Sequence, residues 1–327
     1  MDATDLSSVV SNSLSATSIL ILAALGLAIT FGVMRVINMA HGDLMMLGAY
    51  TAFFVTEQIK KHCPGCLDLN LVFTIPASFL VVAFVGFLIE SCLIRYLYGR
   101  PLDTLLATWG VGMILQQAVL LVFDANLQPT HLPHALGGGV ALGALTIPKY
   151  RLFIVGITLC CLLAVYLWFY KTSFGLKIRA VVQNRNMAAA MGISTRRVDS
   201  VSFAFASGLA GVAGCILAHQ FNTAYDMGNK YIVDAFMVVI LGGMGQLSGS
   251  AAGGATIGTS NSVLAKLLGS EWLGKVGLAL GVPEEDWSRV VKSNGESLAK
   301  VLVLLIVIGF IMVRPSGLFA AKERSYE

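Results

Sequence analysis

Apolar residues in this chain fall in unbroken runs of bilayer length instead of alternating with polar ones. A helix needs about 20 consecutive apolar residues to cross the hydrocarbon layer. Lipid offers no partner to an unpaired backbone group, so helices are the natural fold for such runs. Read with a window of about 19 residues, clear spans lie near 15–34, 71–94, 104–123, 152–170, 200–219 and 298–313. Weaker candidates, interrupted by glycine, lie at 39–57, 232–247 and 251–269. Charged residues make up 12% of the 327, about half the share of a soluble domain. The expected fold is an all-α polytopic transmembrane bundle with Gly-broken helices. It has eight or nine crossings, the lower count if one segment enters and leaves on the same side. No linker divides the chain, so residues 1–327 read as one membrane domain.

Basic residues in short loops set the orientation of such a bundle. The stretch 171–199 carries Lys171, Lys177, Arg179, Arg185, Arg196 and Arg197 against one acid, Asp199. Arg95 and Arg100 mark the loop 95–103, and Arg314, Lys322 and Arg324 mark the tail. These belong in the cytoplasm, which places the N-terminus and the loops near 63–66 and 125–150 outside. The acidic start "MDATDLSSVVSNSL" lacks the basic region of a secretory signal.

Other classes are excluded in turn. A net charge of +4, dispersed along the chain, is no nucleic-acid footprint. "GSEWLGKV" has the Gly269, Gly274 and Lys275 spacing of a phosphate-binding loop, but Val276 stands where Ser or Thr must hold magnesium, and no strand precedes it. Four of the six cysteines lie in apolar runs, as packing residues. Cys63 and Cys66 form "CPGC" in a polar loop, either bridged in an oxidising compartment or free. Neither a metal site, a catalytic set nor a cofactor is expected.

The loop 171–199 combines charge with small apolar residues. Between Lys177 and Gly192 it reads as a short helix bearing Ala188, Ala189, Ala190 and Met191. Gly192 would be its C-cap, and Ser194 or Thr195 the cap of the next helix. A purely topological loop explains the charges and leaves the apolar patch unexplained. Docking into a partner's groove explains both.

"GLKIRAVVQNRNMAAAMGISTRRVDSVSFAFASGLAGVAG" resembles the coupling-helix region of the permease subunits of branched-chain amino acid and urea ABC transporters. "FGVMRVINMAHGDLMMLGAY" is similar to their hallmark first-half segment, and "RPSGLF" (314–319) to their C-terminal signature. The likeness runs in order over nearly the whole chain. Within that family, "GRPLDTLLATWGVGMILQQ" (99–117) and "YIVDAFMVVILGGMGQLSG" (231–249) most resemble the urea branch. Residues 270–297 are longer and more charged than the family pattern.

The resemblance implies a pore built with a second related permease, two ATP-binding subunits and a periplasmic substrate-binding protein, in a bacterial inner membrane. Contact with the ATPase is then expected at Arg179, Asn184, Arg185, Met187, Ala188, Ala189, Met191 and Gly192. Urea is the expected cargo. A branched-chain amino acid permease and a stand-alone urea channel are the alternatives.

An ionisable side chain facing lipid at mid-membrane costs several kcal/mol, so the segment "RVINMAHGDL" (35–44) must face something else. Arg35 reads as a snorkelling anchor at the end of the first span. Asn38 can cap a new helix with Asp43 in its first turn. Asn38, His41 and Asp43 are either a structural break or solute contacts. Thr108 and Gln116 share one face of the span 104–123. With Gln117, they carry the amide and hydroxyl groups that a small neutral solute needs.

Overall fold

The computed structural model describes residues 3–124, 126–142, 145–243, 245–268, 284–314 and 317–319. Each apolar run forms a helix. In chain order these are α1 (Ala3–Met34), α2 (His41–His62), α3 (Asn70–Cys92), α4 (Pro101–Phe123) and α5 (Lys149–Lys171). Two short helices follow, α6 (Ser173–Gln183) and α7 (Arg185–Ala190). The chain continues with α8 (Thr195–Gln220), α9 (Met227–Gly242), α10 (Leu247–Leu268) and α11 (Glu284–Val313). Among the described residues the bundle is all-α apart from a hairpin between α4 and α5. There β1 (Gly139–Leu142) pairs antiparallel with β2 (Leu145–Pro148), Gly139 opposite Pro148.

Burial separates the helices into two classes. The most apolar windows of α1 and α8 are 83% buried, whereas those of α3, α4 and α5 are 17–22% buried. The first two therefore form the centre, and the other three turn Leu80, Phe84, Ile114, Leu121 and Leu159 outward, as lipid requires. Close approach depends on missing side chains where α2 crosses α8. A Cβ on Gly48 would overlap the backbone of Gly211, so small residues here set the spacing of the helices.

Two expectations about the elements need correction. The span 232–247 is broken, since α9 ends at Gly242 and Gly243 has φ +104°. At 1.5 Å per residue the 16 residues of α9 reach about 24 Å, short of the roughly 30 Å hydrocarbon layer. α9 instead doubles back on α10, with Gly242 against Gly249. The single helix expected between Lys177 and Gly192 is two helices, parted at Asn184. The phosphate-loop look-alike at 269–276 lies outside the described residues.

One end of the bundle gathers α6, α7, the start of α8 and the α3–α4 link. The opposite end holds the α2–α3 corner, the hairpin and the α8–α9 link. There Gln128 and Thr223 exchange backbone hydrogen bonds of 3.0 and 2.9 Å. Cys63 and Cys66 sit at this second end and are unbridged.

Candidate functional site

The sequence island at 35–44 folds as a turn inside the bundle. α1 ends at Met34 because Arg35 takes a left-handed conformation, φ +53°, which ends a helix in the manner usually left to glycine. The chain then turns back into the bundle, and α2 starts beside the middle of α1. The Nε2–H of His41 donates to the Ala23 carbonyl at 2.9 Å. Ala23 lies about 16 Å before the end of α1. Arg35 itself is exposed.

Asn38 does not cap α2. The capping position is Ala40, which makes no side-chain bond. The Oδ1 of Asn38 instead accepts from the Ala40 N–H at 3.1 Å, closing a tight turn ahead of the helix. Asp43 does stand in the first turn of α2, where the helix dipole favours a carboxylate. Its Oδ1 accepts from Gln116 Nε2 at 2.7 Å. Gly112 packs against it, where a Cβ would overlap the carboxylate oxygen. Thr108 Oγ1 accepts from the Met39 N–H at 3.1 Å.

Asn38, His41, Asp43, Thr108 and Gln116 are thus brought together, held to α1 and α4. Gln117 is not, because it lies on the exposed face of α4. Asn38 Nδ2 and His41 Nδ1 are buried without a hydrogen-bond partner among the described residues.

The second constellation lies at the other break, around α7. Asn184 ends α6 and caps α7, its Oδ1 accepting from the Met187 N–H at 3.0 Å. Gly192, at φ +83°, closes α7 with a paired turn. Its N–H reaches the Ala189 carbonyl, and that of Ile193 reaches the Ala188 carbonyl, both at 3.0 Å. This is the glycine-dependent stop expected of the residue. Ser194 occupies the capping position of α8 but makes no capping bond.

The faces of α7 differ from the expected patch. Ala188 points into the protein and is 5% exposed. Met187 at 61% and Met191 at 77% stand outward, with Ala189 and Ala190 also exposed.

Arg185 is not a free cation either. Its guanidinium pairs with the Asp199 carboxylate at the start of α8 and covers the Tyr98 ring at 5.0 Å. Arg179, by contrast, is exposed and lies over Tyr170 at 5.3 Å.

Residues that the sequence reading passed over complete this network. The Tyr98 hydroxyl donates to Glu90 Oε1 at 3.1 Å. Glu90 Oε2 accepts from Ser200 and lies 3.6 Å from the Arg95 guanidinium. Burial, reinforced by the carboxylates of Asp199 and Glu90, holds the Tyr98 phenol well above its ordinary pKa. It therefore stays a donor. The available signal was Glu90 itself, an acid inside the apolar run 71–94 that needed a partner. A further pair, Lys300 Nζ to Asp234 Oδ2 at 3.0 Å, joins α11 to α9.

Two cavities open at the α7 end. One, of ≈ 460 Å³, lies between α1, α5, α6 and the α9–α10 link. The other, of ≈ 520 Å³, is lined by Arg35, Val36, Tyr98, Arg100, Thr104 and Val181, among others. None of the five clustered residues of the break lines either cavity.

Comparison with known proteins identifies a family. The family model described as "Branched-chain amino acid transport system / permease component" matches residues 9–311. The high-affinity branched-chain amino acid transport system permease protein BraD of Pseudomonas aeruginosa is 27% identical over 82% of this chain and 89% of its own length. A probable branched-chain amino acid transport permease protein LivH of Methanocaldococcus jannaschii is 28% identical over 92% of this chain and 89% of its own. LivH of Salmonella typhimurium is 28% identical over 79% of this chain and 86% of its own. No solved structure matches the chain.

Proposed function

The chain belongs to the branched-chain amino acid transport permease family, and from that premise we propose that it is the membrane subunit of an ATP-driven importer of branched-chain amino acids. It is a transport subunit and not an enzyme. The observation that carries the proposal is the build of α7. This six-residue helix and the Met191 that follows it present Met187, Ala189 and Met191 outward, and the helix is fastened at its base to α8 and the α3–α4 link.

An outward apolar tip fits a groove on a separate ATP-binding subunit. The fastening turns a push on α7 into motion of the bundle. Arg185 transmits it to Asp199 on α8 and to Tyr98, and Tyr98 and Ser200 share Glu90 on α3. Tyr98 and Arg185 line the ≈ 520 Å³ cavity, so movement there opens or closes the route at the α7 end. A nucleotide cycle on the partner then drives alternating access, with no chemistry on this chain.

The assembly in this reading holds a second related permease, two ATP-binding subunits and a periplasmic substrate-binding protein. Residues 1–327 act as one permease domain in the inner membrane. The basic loop 171–199 sets the α7 end in the cytoplasm and the N-terminus outside. Asn38, His41, Asp43, Thr108 and Gln116 hold the start of α2 in place. His41 bonds Ala23 on α1, Asp43 bonds Gln116 on α4 and the Met39 N–H bonds Thr108 on α4, and the route adjoins them at Val36 and Thr104.

Cargo follows the relatives, whose names specify branched-chain amino acids along most of this chain. Urea is the second reading. The segments 99–117 and 231–249 favour it by resemblance. Reconstituting the whole assembly in vesicles tests the choice. Labelled leucine is expected to accumulate with ATP, and excess unlabelled urea is expected to leave that uptake unchanged. Uptake of labelled urea without uptake of leucine would reverse the assignment.

A further inference from the structure

We propose that the end of the bundle opposite α7 carries a site for a divalent transition-metal ion of the zinc type, built by Asp68, His131 and His134. The three side chains come from two separated segments, the corner between α2 and α3 and the loop between α4 and β1. Each offers one ligand atom, and these atoms lie within 4.8 Å of one another. The two histidines, three positions apart, hold their rings edge to face with centroids 5.6 Å apart.

The backbone that carries them is already fixed. The buried Asn70 amide donates to the His131 carbonyl at 2.7 Å, and the His134 N–H donates to Asp68 Oδ1 at 2.9 Å. The Gln128–Thr223 bridge anchors the same loop upstream. That leaves the second Asp68 oxygen and the histidine ring nitrogens without hydrogen-bond partners among the described residues. Fixed backbone with uncommitted donors is what a metal site needs and what a merely structural corner does not.

The donor set selects the ion. Two imidazoles and a carboxylate suit zinc and its neighbours, whereas magnesium and calcium prefer oxygen alone. Zinc bonds of about 2.0–2.1 Å set tetrahedral donors roughly 3.4 Å apart. Closing from 4.8 Å needs only side-chain rotation, which the exposed Asp68 and His134 permit. Three protein ligands leave a coordination position for water or for a group on a docked partner. The bound ion would clasp the α2–α3 corner to the α4–β1 loop.

The competing set nearby is thiol-based, Cys63 with Cys66, and the experiment must separate the two. The full chain in detergent, with any affinity tag removed and metal stripped by a chelator, is titrated with Co²⁺ alone and then with Zn²⁺ in competition. Visible d–d bands are expected at one Co²⁺ per chain, without a thiolate charge-transfer band. They should be unchanged in Cys63→Ser/Cys66→Ser. In His131→Ala/His134→Ala the affinity should fall by at least about tenfold. Asp68→Asn provides a milder variant, and elution of each variant at the wild-type volume confirms folding. Wild-type affinity in the folded double-histidine variant would overturn the site. So would a thiolate band that disappears with the cysteines, or an absence of saturable binding to the wild type.

Discussion

At the residue scale, buried charge decides what can be changed. Asp199 is fully buried and its partner Arg185 is 41% exposed. Breaking a fully buried pair by removing one member costs roughly 3–5 kcal/mol, and the exposure of Arg185 lowers that figure. Arg185→Ala strands the carboxylate, whereas Asp199→Asn leaves a neutral hydrogen-bonding group. Thermal unfolding in detergent should show the larger loss for Arg185→Ala, with partial recovery in the double variant. Equal losses would mean that the pair is not the fastening. At the helix break, Gln116→Leu removes the donor to Asp43. A hydrogen bond to a charged group is worth on the order of 1.5–3 kcal/mol. A melting temperature equal to wild type would show that this bond does not hold α2.

At the scale of elements, α7 offers a contrast between neighbours. Ala188 is buried and Ala189 is exposed. Ala189→Glu is expected to leave the chain in the membrane and abolish ATP-driven uptake, while Ala188→Glu should lower the amount of folded chain. Quantifying membrane-extracted protein beside uptake distinguishes them, and two variants that behave alike would undo the assigned faces. This pair also marks the limit of what the sequence makes legible. The helices could be read because apolar length is a local property, and Gly192 because a C-terminal turn is local too. The inward face of Ala188 could not, since it depends on what α7 packs against. Arg35 was legible as a charge at the end of a span, but not as the left-handed residue that turns the chain back. Likewise Asp199 read as a lone acid in a basic loop until the fold brought Arg185 and Tyr98 to it.

At the scale of the whole molecule, the two ends of the bundle do different work. One end carries the fastened α7 and both cavities, and the other carries the α2–α3 corner, the hairpin and the α8–α9 link. The buried centre, α1 with α8, lies between the two. α2, packed along α8 and bonded to α4 through Asp43, starts within that centre. Separating motor from path predicts that this chain has no pumping activity of its own. The direct measurement is uptake of labelled leucine into vesicles, with the complete assembly and with this chain alone, each with and without ATP. The account predicts accumulation above the external concentration only for the complete assembly with ATP. Full-rate uptake by the isolated chain without nucleotide would contradict it.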